Sequence, residues 1–253
     1  MIVIKSPREI NLMKEAGLVC DAVFAKMAEM IRPGISTLEL SEAANKVMLE
    51  HDAVSAELGY CGYPAAICAS VNEVLLHGIP SSKKILRDGD IISIDIVVKK
   101  NGYMADACRT FPVGICKENA LNLIKVTEEA FWKGVSLIKE GIHLGDVEHA
   151  IQVVAESHGY SVAREFTGHG IGKEMHEDPY IPNYGEEGTG PILKAGMTLA
   201  IEPMVMEGKP ALRTYGDGWT TATKDGKLSA HYENTIVVTK DGYEVLTMRG
   251  KEQ

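Results

Sequence analysis

The chain has 253 residues, 45% of them hydrophobic, and a formal net charge of −9. This charge argues against a surface that coats nucleic acid, and no run of about 18 apolar residues predicts a membrane-spanning helix. The five cysteines are odd in number and lack CxxC spacing, which argues against a disulfide framework or a thiolate zinc site. The N-terminal segment MIVIKSPREINLMKEAG has no apolar signal core, so we expect a cytoplasmic protein.

The chain is predicted to begin with two capped helices. Residues 6–9, SPRE, combine a serine cap, a proline in the first turn and a capping-box glutamate, which predicts a helix from residue 7 to about Ile31. Residues 36–39, STLE, predict a second helix that runs to about His51.

Strand signals follow these helices. Residues 65–71, AAICASV, and residues 90–98 have strand composition. The pair Asn101-Gly102 is a strong hairpin signal, which predicts that the strand at 90–98 pairs with residues 103–111.

The second half of the chain repeats this order of elements. The pattern predicts helices over 118–140 and from about 145 to 157, and strands near 161–166, 197–203 and 231–239.

One segment of the sequence occurs twice. ILRDGDIISID at 85–95 returns 107 residues later as ILKAGMTLAIE at 192–202, and both copies end in a carboxylate. Chance similarity of apolar segments is the alternative, but amphipathicity does not require the turn, the glycine and the final acid to agree in register. We therefore predict two similar α/β halves, about 7–113 and 118–248, related by an approximate two-fold, with a site at their junction.

Two acids of the first half are predicted to converge. The two-residue turn places Asp106 opposite Val97. Asp95 is two residues from Val97 and points to the same face, so its backbone lies about 7–8 Å from that of Asp106. Without a cation, two acids on one buried face repel each other and raise each other's pKa. The pair therefore indicates carboxylate oxygens that converge on one or two cations.

Three residues of the second half extend this set. Glu202 ends the repeated strand, Glu233 lies among apolar residues in HYENTIVV, and His169 lies between the glycines of TGHGIG. Four acids and one imidazole suit two divalent ions such as Mn, Fe, Co or Zn better than a structural zinc. An isolated acid in a strand is more often a charge at a sheet edge, and an isolated His-Gly pair is more often part of a turn. The prediction therefore depends on all five residues occurring together in this order.

Six motifs occur in a fixed order: NEVLLHGIP (72–80), SIDIVVKKNGYMADACRTF (93–111), TGHGIG (167–172), MHEDP (175–179), TLAIEP (198–203) and SAHYENT (229–235). Over nearly the whole chain, these motifs resemble those of the type I methionine aminopeptidases. The resemblance implies one catalytic domain over residues 1–253 with the pita-bread fold, an α/β (α+β) fold around a central, mainly antiparallel sheet. The implied activity removes the N-terminal methionine from nascent proteins and peptides, with a preference for small second residues.

The resemblance also implies how the metal centre is built. Two divalent ions (Co, Mn, Fe or Zn) would be bound by Asp95, Asp106, His169, Glu202 and Glu233. Asp106 and Glu233 would bridge the ions, Asp95 would bind one ion only, and His169 and Glu202 would bind the other.

Further residues match positions that contact the substrate or a monovalent ion in this family. His77 and His176 would flank the site and contact the peptide, although each could be a structural histidine. The methionine pocket would comprise Tyr60, Tyr63, Cys68, Met175 and Trp219, any of which could be ordinary core. Asn72, Val74 and Ser229 match a Na⁺ or K⁺ site.

Two positions depart from the family pattern. Met175 stands where an aromatic residue is common, and Cys61 stands where a histidine is common. Because methionine is apolar and flexible, we expect a changed pocket shape and an unchanged substrate class.

The mechanism implied by the resemblance is hydrolysis by a water activated between the two ions. Glu202 would take the proton of this water and pass it to the leaving amine, and His176 would help to stabilise the oxyanion. The α-amine of the substrate would bind near Asp95, which limits cleavage to the first residue.

The partners implied are the N-termini of nascent polypeptides, acted on by a monomer without a membrane or specific nucleic-acid partner. Lys83, Lys84 and Arg87 are candidates for a transient ribosome contact, and a solvated turn is the alternative for them.

Two rival functions remain at this stage. A proline-directed peptidase of the same fold, such as aminopeptidase P or prolidase, usually carries a large N-terminal domain, for which a first helix at residue 7 leaves no room. A non-catalytic binding module on this fold would be expected to lack metal ligands, whereas all five are present.

Overall fold

The computed structural model describes residues 1–248. Its α-helices are α1 Pro7–Met30, α2 Thr37–Glu50, α3 Glu118–Val135 and α4 Leu144–Ser157, and a 3-10 turn spans Tyr60–Gly62. Its strands are β1 Val54–Ser55, β2 Cys68–Val71, β3 Val74–Leu76, β4 Ile91–Lys100, β5 Tyr103–Pro112, β6 Ser161–Val162, β7 Thr167–Gly170, β8 Glu177–Pro182, β9 Thr198–Ile201, β10 Met204–Met206, β11 Leu212–Thr214, β12 Thr221–Thr223, β13 Ser229–His231, β14 Glu233–Val238 and β15 Tyr243–Val245. Within this part of the chain, no helix has both the length and the apolar character needed to cross a bilayer.

Both N-terminal helices start at the predicted capping boxes. Ser6 Oγ accepts a hydrogen bond from the Glu9 amide at 3.4 Å, and Glu9 Oε2 accepts one from the Ser6 amide at 2.8 Å. Ser36 and Glu39 repeat this exchange at 3.2 and 2.9 Å. These bonds satisfy amide groups that a helix leaves without partners in its first turn.

A nine-stranded sheet occupies the centre of the molecule. Seven strands follow the order β1-β4-β5-β14-β9-β7-β8, with β2 beside β4 and β15 beside β14. Every pairing recorded in this sheet is antiparallel. The predicted α/β fold with an antiparallel central sheet is therefore confirmed.

The repeat in the sequence is also a repeat in backbone geometry. The Gly34 amide donates to the Leu86 carbonyl at 2.8 Å, and 107 residues later the Gly141 amide donates to the Leu193 carbonyl at 2.9 Å. Both glycines have positive φ values, 92° and 95°, which side chains other than glycine adopt with difficulty. The shared glycine therefore forms the same turn in both copies.

The two largest apolar clusters lie against the sheet. One is formed mainly by α1, α2, β4 and β5, and the other mainly by α3, α4, β9 and β14. Each large apolar side chain that is fully buried there stabilises the folded state by about 1.5–3 kcal/mol. Each of these two clusters draws mostly on one of the proposed halves, near 7–113 and 118–248, and the division into halves stays a proposal.

Three predicted elements differ from the structure. Helix α3 ends at Val135 rather than near residue 140, because the Leu137 and Ile138 amides donate three residues back, to Gly134 and Val135, and tighten the chain into turns. The strand predicted over 161–166 is shorter and consists of β6 alone, because the chain separates from β10 after Ala163.

The strand predicted over 231–239 is interrupted at Tyr232. Residues before it pair with β10 in a small sheet, whereas residues after it pair with β5 and β9 in the central sheet. The Tyr232 ring packs against Phe131 and beneath the Arg109 guanidinium, with a cation–π distance of 4.3 Å. This packing lies where the chain passes from one sheet to the other.

Candidate metal centre

Asp95 and Asp106 lie on one face of the β4–β5 hairpin. Asn101 and Gly102 form its turn with φ values of 51° and 82°, as a primed two-residue turn requires. Val97 pairs with Asp106, and Asp95 shares the face of Val97 because side chains alternate along a strand. The predicted register is therefore confirmed.

Five neighbouring strands of the central sheet each contribute one predicted ligand. In sheet order, these residues are Asp95 on β4, Asp106 on β5, Glu233 on β14, Glu202 directly after β9 and His169 on β7. Residues that are 138 positions apart along the chain thereby line one surface.

His169 connects the two sides of this cluster. Its Nε2 lies 3.5 Å from Asp106 Oδ2 and 3.6 Å from Glu202 Oε1. Its Nδ1 lies 2.9 Å from the Gly170 carbonyl oxygen, which can only accept a hydrogen bond. Nδ1 therefore carries a proton, and a neutral ring leaves the Nε2 lone pair directed at the acids.

A second imidazole, His231, lies on the opposite side of the acids. Its Nε2 is 3.5 Å from Glu202 Oε2 and 3.7 Å from Glu233 Oε2. The side chain is 2% exposed, and burial lowers the pKa of His231 to about 3. Burial therefore favours the neutral imidazole, a potential metal ligand or hydrogen-bonding partner of the acids.

The acids of the cluster lie close together, and the positive groups around them do not balance their negative charge. For Asp95, Glu202 and Glu233 alike, burial raises the pKa most and the charge of Asp106 raises it next. Their ion pairs within residues 1–248 are with imidazoles alone. Oxygens of Asp95, Asp106 and Glu233 are buried without a hydrogen-bond partner in this part of the chain.

These residues fit a divalent metal centre. One ligand atom each from Asp106, His169 and Glu233 lies within 4.8 Å of the others, and the same holds for Glu202, His231 and Glu233. Carboxylate oxygens with one or two imidazoles form a donor set suited to first-row divalent ions, and such ions would satisfy the buried oxygens.

A cavity of about 140 Å³ opens directly onto the acids. The seven residues predicted to contact the substrate all line it: Tyr60, Tyr63, Cys68, His77, Met175, His176 and Trp219. Tyr63 and Met175 are 3% and 6% exposed, and the Tyr63 and Trp219 rings meet edge to face at 5.1 Å. The cavity thus combines an acidic end with an aromatic and apolar wall.

His77 and His176 flank the mouth of the acidic end. The His176 ring lies 4.4 Å from His169, and its Nδ1 is 3.0 Å from the Tyr60 hydroxyl. Burial lowers the pKa of His77 to about 4, with His176 as the next cause, and burial followed by His169 lowers the pKa of His176. Burial therefore favours the neutral form of both histidines.

Comparison with known proteins identifies the family. The profile of metallopeptidase family M24 matches residues 11–240. Methionine aminopeptidase 1 of Bacillus subtilis is 47% identical, over 98% of this chain and 99% of that protein. The crystal structure of a methionine aminopeptidase from Thermotoga maritima superposes with a TM-score of 0.97 at 44% identity, over 98% of this chain and 100% of that one. The chain belongs to metallopeptidase family M24, among the methionine aminopeptidases.

Membership of this family confirms the predicted pita-bread fold and the predicted class of metal-dependent peptidase. The proline-directed peptidases share the fold at greater distance. An Xaa-Pro dipeptidase from Bacillus anthracis matches with a TM-score of 0.78 at 28% identity, and this chain spans 63% of its length. The identity to methionine aminopeptidases is higher and extends over their full length. It therefore favours a methionine aminopeptidase over a proline-directed peptidase.

Sequence reasoning missed two residues at the site, Glu57 and His231. His231 precedes Glu233 by two positions, and strand alternation could have placed both on one face. Glu57 follows the two-residue strand β1 in a loop, where no periodicity marks its side chain as buried. It is nevertheless 6% exposed and lines the cavity.

The residues of the predicted monovalent-cation site do not line this cavity. Ser229 Oγ donates to the Asn72 carbonyl at 3.1 Å, so two residues of the predicted monovalent-cation site are in contact. Val74 lies on β3 and pairs with Ala222. Cys61 is exposed in the 3-10 turn with a φ of 46°, whereas Met175 lies in the cavity wall.

Proposed function

We propose that this chain removes the N-terminal methionine from peptides and nascent proteins by hydrolysis at a centre of two divalent ions. One observation carries the proposal: the acids and imidazole from five neighbouring strands line the same cavity as the aromatic and apolar side chains. Such a cavity can hold an apolar side chain beside a charged reaction centre.

Asp95, Asp106, His169, Glu202 and Glu233 would hold the two ions. A central position for Asp106 among these ligands is supported by its charge, which is the largest influence after burial on the pKa of each of the other three acids. When bound, the ions supply positive charge that lowers the pKa of a water molecule and polarises the first peptide carbonyl.

Glu202 moves the proton in this proposal. Its side chain is 12% exposed, against 7% for Asp106 and 2% for Glu233, so it is more accessible from the cavity than either of these two acids. Burial raises its pKa, which suits a group that takes a proton and then delivers it to the leaving amine.

His176 and His77 bind and orient the scissile amide. A Tyr60 hydroxyl that donates to His176 Nδ1 leaves the Nε2–H of His176 to donate to the carbonyl oxygen. Such a donor stabilises negative charge as it develops on that oxygen. His77 is held between the rings of Phe166 and Trp219 at 6.0 and 5.9 Å, which restricts its orientation.

The Asp95 side of the centre receives the free α-amine, so an internal peptide nitrogen is not accepted. The methionine side chain packs in the cavity against the wall formed by Tyr60, Tyr63, Cys68, Met175 and Trp219. A preference for small second residues completes this specificity and follows from the family resemblance.

Several properties stay predictions from the sequence and from that resemblance. These are a cytoplasmic location, a monomeric state, a transient ribosome contact through Lys83, Lys84 and Arg87, and a Na⁺ or K⁺ ion at Asn72, Val74 and Ser229.

The direct test compares two peptide classes on protein loaded with Mn²⁺ or Co²⁺. We expect release of methionine from Met-Ala-Ser and no release from Xaa-Pro peptides. The matched peptide acetyl-Met-Ala-Ser, which lacks the free amine, should not be cleaved. Cleavage of Xaa-Pro peptides in preference to Met-Ala-Ser would overturn the proposal.

A further inference from the structure

We infer that Glu57, Cys68 and Asp95 form an additional divalent-cation site in the cavity wall, suited to an ion that accepts sulfur as well as oxygen, such as Zn²⁺ or Co²⁺. The site adjoins the proposed two-ion centre and shares Asp95 with it. Ion binding at this site does not depend on the proposed function, whereas its effect on catalysis does.

Three elements bring these side chains together. Cys68 on β2 pairs directly with Asp95 on β4, so both side chains project from the same face of the sheet. Glu57 reaches them from the loop after β1, where the amides of Glu57 and Leu58 both donate to Ser55 Oγ at 3.2 Å. One ligand atom from each of the three residues lies within 4.8 Å of the others.

The buried carboxylate of Glu57 indicates a ligand. Glu57 is 6% exposed and Cys68 is 3% exposed. Glu57 Oε2 and Asp95 Oδ1 are buried and have no hydrogen-bond partner within residues 1–248. Native proteins rarely leave such atoms without a partner, and no lysine or arginine forms an ion pair with Glu57 in this part of the chain.

The spacing of the donor atoms suits tetrahedral coordination. The Cys68 thiol donates a hydrogen bond to Glu57 Oε1, with Sγ and Oε1 3.6 Å apart. Bonds of about 2.3 Å to sulfur and about 2.1 Å to oxygen, at the tetrahedral angle, place the two donors about 3.6 Å apart. Three protein ligands leave the fourth position open, and all three residues line the cavity. On binding, the Cys68 thiol releases its proton to solvent and the thiolate bonds to the ion.

An ion at this site would share the cavity with Tyr63, Met175 and Trp219, which belong to the wall proposed for the methionine side chain. We therefore expect that filling the site raises the KM for Met-Ala-Ser. This consequence rests on the proposed function.

The test loads metal-free protein with Co²⁺ without oxygen and follows two readouts, bound Co²⁺ per chain and the near-ultraviolet absorption of a thiolate bonded to Co²⁺. We expect three bound ions in the wild type, and the absorption only as the third ion binds. Cys68→Ser should abolish the absorption and bind two ions. Glu57→Gln should weaken the third ion by at least about tenfold, the lower end of losses seen when a supporting residue of a metal site is replaced.

Cys108→Ser is the matched control. Cys108 is fully buried and lies directly opposite Asp95 on β5, but it is outside the group of three donors, so the absorption should persist. The proposal is overturned by a wild type without the absorption, by its survival in Cys68→Ser, or by its loss in Cys108→Ser. Failure of the proposed function is distinguishable, since it would appear as absent cleavage of Met-Ala-Ser at two bound ions.

Discussion

At the scale of single residues, the position of Glu202 distinguishes it from the other acids. One carboxylate oxygen faces His169 and the other faces His231, at 3.6 and 3.5 Å. Its partner in the repeat, Asp95, is shorter by one methylene group and lies beside Cys68 and Glu57 instead. The two copies of the repeat therefore end in acids with different surroundings, which supports different roles for them.

Replacing Glu202 by glutamine keeps the shape of the side chain and removes its proton-accepting group. We expect turnover of Met-Ala-Ser to fall by about 10²–10⁴-fold, the usual contribution of a general acid–base. Steady-state kinetics measure the loss, and a thermal melt by circular dichroism checks that the variant is folded. Turnover near the wild-type rate in folded Glu202→Gln would show that another base operates.

The flanking histidines allow a second test at this scale. His176→Ala and His77→Ala should each lower turnover, by about 10²–10³-fold for His176 if it donates to the oxyanion. Because neither is proposed as a ligand, metal content measured after dialysis should equal that of the wild type. Loss of bound metal from either variant would instead make that histidine a ligand.

At the scale of elements, the β4–β5 hairpin and the two capped helices behave as local units. The turn at Asn101-Gly102 determines the register that aligns Asp95 with Asp106, and the capping boxes determine where α1 and α2 begin. The interactions involved span four or fewer residues, so neighbouring residues in the sequence were sufficient to predict them.

Helix α4 contains an acid whose burial opposes its charge. Glu148 is 9% exposed and lies beside Gly185, and burial raises its pKa from 4.5 to about 7. Because the folded state holds this proton more tightly than the unfolded chain, the group's contribution to stability is complete below pH 4.5. It is lost as the pH rises to about 7.

Glu148→Gln, which cannot ionise, should therefore raise the free energy of unfolding at pH 8 by about 1–2 kcal/mol, after allowance for solvent screening. Urea unfolding at pH 8 and pH 4 measures the difference, which should nearly vanish at pH 4. An exposed acid on the same helix, Glu156, provides the control variant Glu156→Gln. An equal effect at both pH values would contradict the assigned cause.

At the scale of the whole molecule, the sheet brings acids from both halves of the chain onto one surface. Glu233 on β14 lies between β5 and β9, and so between the acids contributed by the first and second halves. The repulsion among these acids opposes folding unless cations offset it. Metal binding and stability should therefore be linked in this protein.

Removal of the metal should lower both activity and thermal stability. A protein treated with chelator should be inactive on Met-Ala-Ser, and Mn²⁺ or Co²⁺ at about 100 times its Kd should restore activity and stabilise the fold by about 2.7 kcal/mol. Because burial raises the pKa of three of the acids, protons compete with the ion, so the metal-induced rise in Tm should be larger at pH 8 than at pH 6.

The control variant for this linkage is Asp106→Asn, which removes the central charge. Its Tm should respond less to added metal than that of the wild type. Full activity after complete chelation, or a wild-type metal response in Asp106→Asn, would contradict the proposed centre.

The sequence alone determined the helix starts, the hairpin register, the 107-residue repeat and the set of acids that a metal would need. These features depend on contacts between near neighbours or on a pattern that can be read directly. Only the tertiary structure decided that His231 and Glu57 join the site and that the last long strand breaks at Tyr232. The physical reason is that burial of a loop side chain, and the passage of a strand between sheets, depend on packing against residues distant in sequence. The inferred site at Glu57, Cys68 and Asp95 arises from such packing.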